Sequence, residues 1–225
     1  MDILYTSDEY VKELIKIGKS VKTYYGLGAI GAPASYKYTG RPYQTNKERY
    51  KVPNAPDDSF IFDCAGFGYK ALPWGWCGNR NSCYGGAKWP AKGQPLSELD
   101  TDDILSISKD ISDDFSQILP AEILYMSGHV GVYIGSGMAI ECTSAWTCGV
   151  LISEVKNCNI NTGISYKRTW LKHAKLPFVN YLDNAPEPDA GILAELNEVQ
   201  DGLKRAQKEI DAALVNVARI INALQ

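Results

Sequence analysis

Three side chains in this sequence have the types and spacing for nucleophilic chemistry: the thiol of Cys64, the imidazole of His129 and the carboxylate of Glu141. They lie in Phe62-Asp63-Cys64-Ala65-Gly66-Phe67-Gly68-Tyr69, in Gly128-His129-Val130-Gly131-Val132-Tyr133-Ile134-Gly135 and in Ile140-Glu141-Cys142. A thiolate attacks a carbonyl carbon and an imidazole carries the proton. A carboxylate fixes the imidazole tautomer and stabilises its protonated form. The chain has only two histidines, and the one at 129 is set among glycines at the start of an apolar alternation.

Each of the three needs an element to hold it. Cys64 follows the apolar run Phe60-Ile61-Phe62 and opens a segment carrying Phe67, Tyr69, Ala71 and Leu72. It is therefore expected in the first turn of a buried helix, where free N–H groups and the helix dipole favour a thiolate. Gly66 and Gly68 each cost about 1 kcal/mol against alanine in a helix interior, so a tight packing contact is expected to explain them. Val130, Val132 and Ile134 recur with the period of a strand, Ser136-Gly137 suits a hairpin turn, and residues 138–141 continue as a second strand. Pairing about that turn sets Val132 opposite Glu141 and brings Glu141 within one or two steps of His129 on the same face.

These segments, Asp63-Cys64-Ala65-Gly66-Phe67 followed by Gly128-His129-Val130-Gly131-Val132-Tyr133-Ile134-Gly135-Ser136-Gly137 and a polar residue twelve positions after the histidine, resemble the NlpC/P60 family of papain-like cysteine peptidases. That family cuts peptidoglycan stem peptides. The resemblance covers roughly residues 45–182 and is greatest to versions found in phage lysins of Gram-positive hosts. It implies Cys64 as nucleophile, His129 as general base and Glu141 as the orienting residue. Two positions depart from the family pattern. Ala65 stands where serine is usual, and the third residue is more often histidine, asparagine or glutamine. Glutamate there is similar to the related CHAP amidases and endopeptidases. Similarity also suggests that Asp63 receives the free amine of a stem peptide, with a helix N-terminal acid as the alternative. Trp74 and Trp76 are candidates for a wall of the substrate cleft, or else core aromatics with satisfied N–H groups.

The composition narrows the class. With 225 residues, 45% hydrophobic, the chain can form one packed domain and an appendage; a net charge of -3 gives no nucleic-acid footprint. The first residues lack a basic and then apolar leader, and no apolar run reaches membrane-spanning length. The protein is accordingly expected to be made in the cytoplasm and to reach a cell wall by host lysis or on a particle. Six cysteines without a leader are expected to be free thiols. No close C-x-x-C pair and no calcium-loop spacing is present, so neither metal nor cofactor is expected.

A helix capped at Ser7-Asp8 is expected through Tyr10, Leu14 and Ile17, with its lysines outside. Residues 23–59 read as loop, residues 97–119 as a solvated helical connector, residues 120–126 as a strand leading to His129, and residues 149–152 and 166–171 as the remaining antiparallel strands. His173, between Lys172 and Lys175, is expected to be exposed. The proline-spaced stretch 183–190 reads as a linker. Beyond it, Ile192, Leu196, Val199, Leu203, Ala206, Ile210, Ala213, Val217, Ile220 and Leu224 alternate in steps of four and three, a heptad seam.

The sequence thus predicts an α+β fold of the papain-like NlpC/P60 type with a C-terminal coiled-coil helix: a catalytic domain over 1–182, a linker over 183–190 and an oligomerisation helix over 191–225. The resemblance implies a Cys-His-Glu peptidoglycan hydrolase, an endopeptidase on the stem peptide or cross-bridge. The alternatives are an N-acetylmuramoyl-L-alanine amidase and a catalytically inactive wall-binding or particle-assembly protein. The expected partners are peptidoglycan and further copies of the chain, with neither nucleic acid nor membrane.

Overall fold

The computed structural model describes residues 2–89 and 99–181. The chain divides into two units, Met1–Ala185 and Pro186–Gln225, and the described residues belong to the first. The linker and coiled-coil helix expected over 183–225 lie outside the described residues.

Strand β1 (Tyr5–Thr6) runs into helix α1 (Ser7–Ser20). The helix starts at a capping box, in which the Thr6 hydroxyl accepts from the Glu9 N–H and the Glu9 carboxylate accepts from the Thr6 N–H. The cap is thus Thr6, one residue before the expected Ser7. Tyr10, Val11, Leu14, Ile15 and Ile17 are buried, and Lys12, Lys16 and Lys19 are exposed.

The stretch expected as loop contains two strands, β2 (Thr23–Tyr25) and β3 (Ile30–Pro33), and a single-turn helix α2 (Asn46–Arg49). Both strands pair with β4 (Phe60–Phe62), giving the order β2-β4-β3. Composition hid them because β2 and β3 are short, glycines lie between them, and β3 itself contains Gly31 and Pro33. Helix α3 (Thr101–Ile107), capped by Asp100, falls in the acidic connector, and a strand, β5 (Lys109–Ser112), follows it.

The remaining strands are β6 (Ile123–Met126), β7 (His129–Gly135), β8 (Met138–Thr143), β9 (Gly149–Val155), β10 (Lys167–Arg168), β11 (Lys172–Lys175) and β12 (Val179–Asn180). A seven-stranded sheet has the order β10-β9-β8-β7-β6-β11-β5. Its centre, β6 to β9, is an antiparallel meander. The edge strand β10 runs parallel to β9, so the sheet is mixed and not wholly antiparallel. One face packs Leu124, Tyr133, Ala139, Val155 and Trp170 together with Phe115. On the other, α1 lies so close that a Cβ on Gly18 would sit 3.2 Å from Val150 Cγ1 and 3.3 Å from Ile140 Cδ1.

His173 corrects an expectation. It is 4% exposed on β11, with Nδ1 on the Glu122 carboxylate and Nε2 2.9 Å from the Asp114 carbonyl. Lys172, one residue earlier, takes the opposite face, and the register is irregular between His173 and Lys175, while β11 itself lies between β5 and β6.

Candidate active site

Cys64 and Ala65 are helical and continue into a π-wound segment, Gly66–Lys70, so the nucleophile candidate stands in the first turn. The widening is visible in the ladder: Phe67 N–H reaches Asp63 O at 2.9 Å, whereas Ala71 N–H reaches five residues back to Gly66 O, also at 2.9 Å. Gly66 is forced by a close approach, since a Cβ there would lie 2.0 Å from the Ala29 carbonyl oxygen. Gly68 has only an ordinary contact, 3.5 Å to Val132 Cγ2. Asp63 ties the same junction. Its N–H donates to Ala29 O at 2.8 Å, and its carboxylate accepts from Gly66 N–H at 2.5 Å and Gly28 N–H at 2.7 Å. With one backbone donor on each oxygen and 8% exposure, Asp63 has the helix N-terminal role.

His129 begins β7 after the two-residue turn Ser127-Gly128, in which Gly128 takes φ +73°. The ladder between β7 and β8 runs from Gly135↔Met138 to Val132↔Ile140, with an irregularity between Tyr133 and Gly135. That irregularity moves the register by one, so Val132 faces Ile140 and not Glu141. Glu141 instead lies across from Gly131, where a Cβ would be 3.3 Å from Glu141 Cβ. His129 is two residues from Gly131 and shares its face, which brings His129 Nε2 to 2.7 Å from Glu141 Oε2.

The thiol reaches this place at the end of the β7–β8 ladder. Cys142 Sγ on β8 donates to Phe62 O at 3.5 Å, which docks the end of β4 there. Two residues on, the Cys64 thiol lies beside the backbone N–H of Val130, the residue after His129. Burial pushes this thiol up, and the Asp63 carboxylate pushes it further. The N–H groups of Val130, Ala65 and Cys64 oppose them but do not prevail. The expected bias toward thiolate from the helix start is therefore overturned by desolvation.

Glu141 is wholly buried and fully engaged. Besides His129, its carboxylate accepts from Ser153 Oγ on β9 and from Arg168 Nε on β10 at 3.1 Å. Arg168 Nη2 lies 2.9 Å from Oε2 but off the hydrogen-bond line, so it contributes charge. Burial pushes the Glu141 carboxyl up, and the bonds from His129, Arg168 and Ser153 together outweigh it and hold it below its usual value. An imidazole whose Nε2–H is held by a carboxylate carries its lone pair on Nδ1, the nitrogen free to take a thiol proton.

Aromatic rings frame the pair. Trp170 stacks on His129 with centroids 5.6 Å apart and planes 15° apart. Gly131 makes room for it, because a Cβ there would be 2.9 Å from Trp170 Cη2. The Arg168 guanidinium lies 4.6 Å from the Trp146 centroid and 5.5 Å from that of Trp170. Trp146, 39% exposed, stacks in turn on Tyr166.

The contacts of Trp74 and Trp76 lie elsewhere. Trp76 packs on Phe60 and Phe62 and donates its N–H to Gly31 O at 2.9 Å, as a core aromatic does. Trp74 is buried against Trp89. The rings that pack beside His129 and Arg168 are those of Trp170 and Trp146.

Sequence reasoning missed Arg168, Ser153, Trp170 and Tyr25. Tyr25 ends β2 opposite Phe62, and its hydroxyl is pushed up to about 12 by burial and then by the charges of Cys64 and Asp63. It therefore remains a donor at neutral pH. The one signal for Arg168 and Trp170 was their two-residue spacing in a stretch read as strand, although β10 itself ends at Arg168.

No protein-family model matches the chain, and no curated protein matches it. Solved structures do. NlpC1 from Trichomonas vaginalis is 16% identical with a TM-score of 0.39, over 76% of this chain and 44% of that one. The peptidoglycan hydrolase RipB from Mycobacterium tuberculosis is 14% identical with a TM-score of 0.38, over 78% and 67%. The P60 domain of an antigen from M. avium subspecies paratuberculosis is 18% identical with a TM-score of 0.40, over 78% and 96%. The chain spans less than half the length of NlpC1. No residue role follows from likenesses of this size.

Proposed function

We propose that this chain is a cysteine peptidase of the NlpC/P60 type that hydrolyses an amide bond in peptidoglycan, as an endopeptidase on the stem peptide or cross-bridge. The observation that carries the reading is the 2.7 Å contact of His129 Nε2 with the buried Glu141 carboxylate, at the strand end where the Cys64 thiol meets the Val130 N–H. Cell wall as substrate rests on the sequence motifs around these residues.

In the reaction, His129 Nδ1 takes the Cys64 proton as the sulfur attacks the amide carbon. The Cys64 N–H at the helix start is the donor for the oxyanion. The imidazolium returns its proton to the leaving amine, which departs and leaves a thioester. A water deprotonated by His129 then attacks the thioester and releases Cys64.

An amidase would use the same three residues, since the pocket chooses the bond. The test is release of soluble material from purified Gram-positive walls. Wild type releases fragments, and Cys64→Ser, which keeps the shape, releases none. Equal release by both removes the mechanism, and no release by either favours a binding or assembly role.

A further inference from the structure

We propose that Arg168 is a positioning residue that sets how tightly Glu141 holds the protonated His129 ring. One buried carboxylate is shared between a guanidinium and an imidazole. Arg168 Nε donates to Oε1 at 3.1 Å and Nη2 stands 2.9 Å from Oε2, the same oxygen that His129 Nε2 meets at 2.7 Å. Ser153 Oγ completes the set on Oε1.

The guanidinium is built in. Its side chain is 14% exposed, it lies near the rings of both Trp146 and Trp170, and its Nη1 is 3.6 Å from Met126 Sδ. A carboxylate that faced only His129 would place its whole charge on the imidazolium and keep it protonated to high pH. A ring that stays protonated is a poor base for the thioester step. Sharing the charge with Arg168 loosens the hold of Glu141 on an imidazolium. The other titratable groups around the carboxylate and the thiol are Asp63, Cys64 and Tyr69 at the nucleophile helix, Cys142 on β8, Tyr25 on β2 and Cys148, with Lys70 acting on Asp63. None of these donates a hydrogen bond to Glu141, and Ser153 Oγ, which does, carries no charge, so Arg168 is the charged residue through which the division can be altered.

The proposal rests on Cys64, His129 and Glu141 being the triad, but its readout is the ring itself, so it stands or falls separately from whether a wall bond is cut. The chain has two histidines, so an NMR titration of the full-length protein shows two imidazoles, and buried His173 reports the fold in the same spectra. In a Cys64→Ala background, Arg168→Gln is expected to raise the His129 titration midpoint by about one pH unit. Arg168→Lys keeps one charge but loses the paired contact, and a smaller rise is expected. An unchanged or lowered midpoint in Arg168→Gln, with the His173 signal intact, overturns the proposal. If Arg168→Gln loses the His173 signal, Arg168→Lys decides: a rise supports the proposal, and no rise overturns it.

Discussion

At the scale of single residues, Glu141 combines complete burial with a carboxyl held below its usual value. Such a charge is tolerated because three donors meet it. Glu141→Gln keeps the shape but loses the charge that stabilises imidazolium, and steady-state assays are expected to show a loss of about 100-fold in turnover. Glu141→Ala leaves Arg168 buried without its partner and is expected to cost about 3–5 kcal/mol in urea unfolding. His173 governs a different property. Burial lowers its proton affinity, but the bonds to Glu122 and the Asp114 carbonyl outweigh this and raise it above the unfolded value. Its contribution to stability is therefore complete below about pH 6.5 and is lost as pH rises through the folded value. Urea midpoints are expected to fall across that window, and His173→Gln to flatten the fall. Cys64, His129 and Glu141 were legible in the sequence because two separated motifs carry them in order. Arg168 was not, because its role comes from a strand added at the sheet edge, and nothing in Lys167-Arg168-Thr169-Trp170 announces which carboxylate it meets. A buried helix was expected at Cys64, but the weight of desolvation on the thiol was not readable, since it is a property of the packed surroundings.

At the scale of elements, the site depends on two glycines, Gly66 beneath a backbone carbonyl and Gly131 beneath the Trp170 ring. Gly66→Ala would put a methyl 2.0 Å from the Ala29 carbonyl, a backbone atom that cannot rotate away. Thermal unfolding is expected to show a loss of about 3 kcal/mol, at the upper end for overpacking. Gly131→Ala pushes instead on the Trp170 ring, which can shift. It is expected to cost less, about 1 kcal/mol, while impairing turnover through the displaced ring. The hairpin of β7 and β8 was readable from alternation and a Ser-Gly turn, yet its register came out one residue away. The irregularity near Gly135 adds a residue that period-two reasoning does not contain. The parallel pairing of β10 was equally unreadable, as it depends on the path of the chain between β9 and β10.

At the scale of the whole molecule, the described residues form one compact unit in which the Cys64 thiol lies beside the backbone of Val130, the residue after His129. The heptad seam over 191–225 adds a proposed second function, self-association, that would raise weak wall affinity by avidity. Leu203→Lys in the full chain puts a charge into that seam. Sedimentation is expected to show a smaller species, with alkylation of Cys64 unchanged. The most direct test of the central claim is mass spectrometry of purified Gram-positive peptidoglycan digested by the full chain, beside its Cys64→Ala variant. The account predicts new peptide amines within stems or cross-bridges, formed by the wild type and absent from the variant. Stems freed whole from muramic acid would make the enzyme an amidase. Identical products from both proteins, or none from either, would contradict hydrolysis by Cys64.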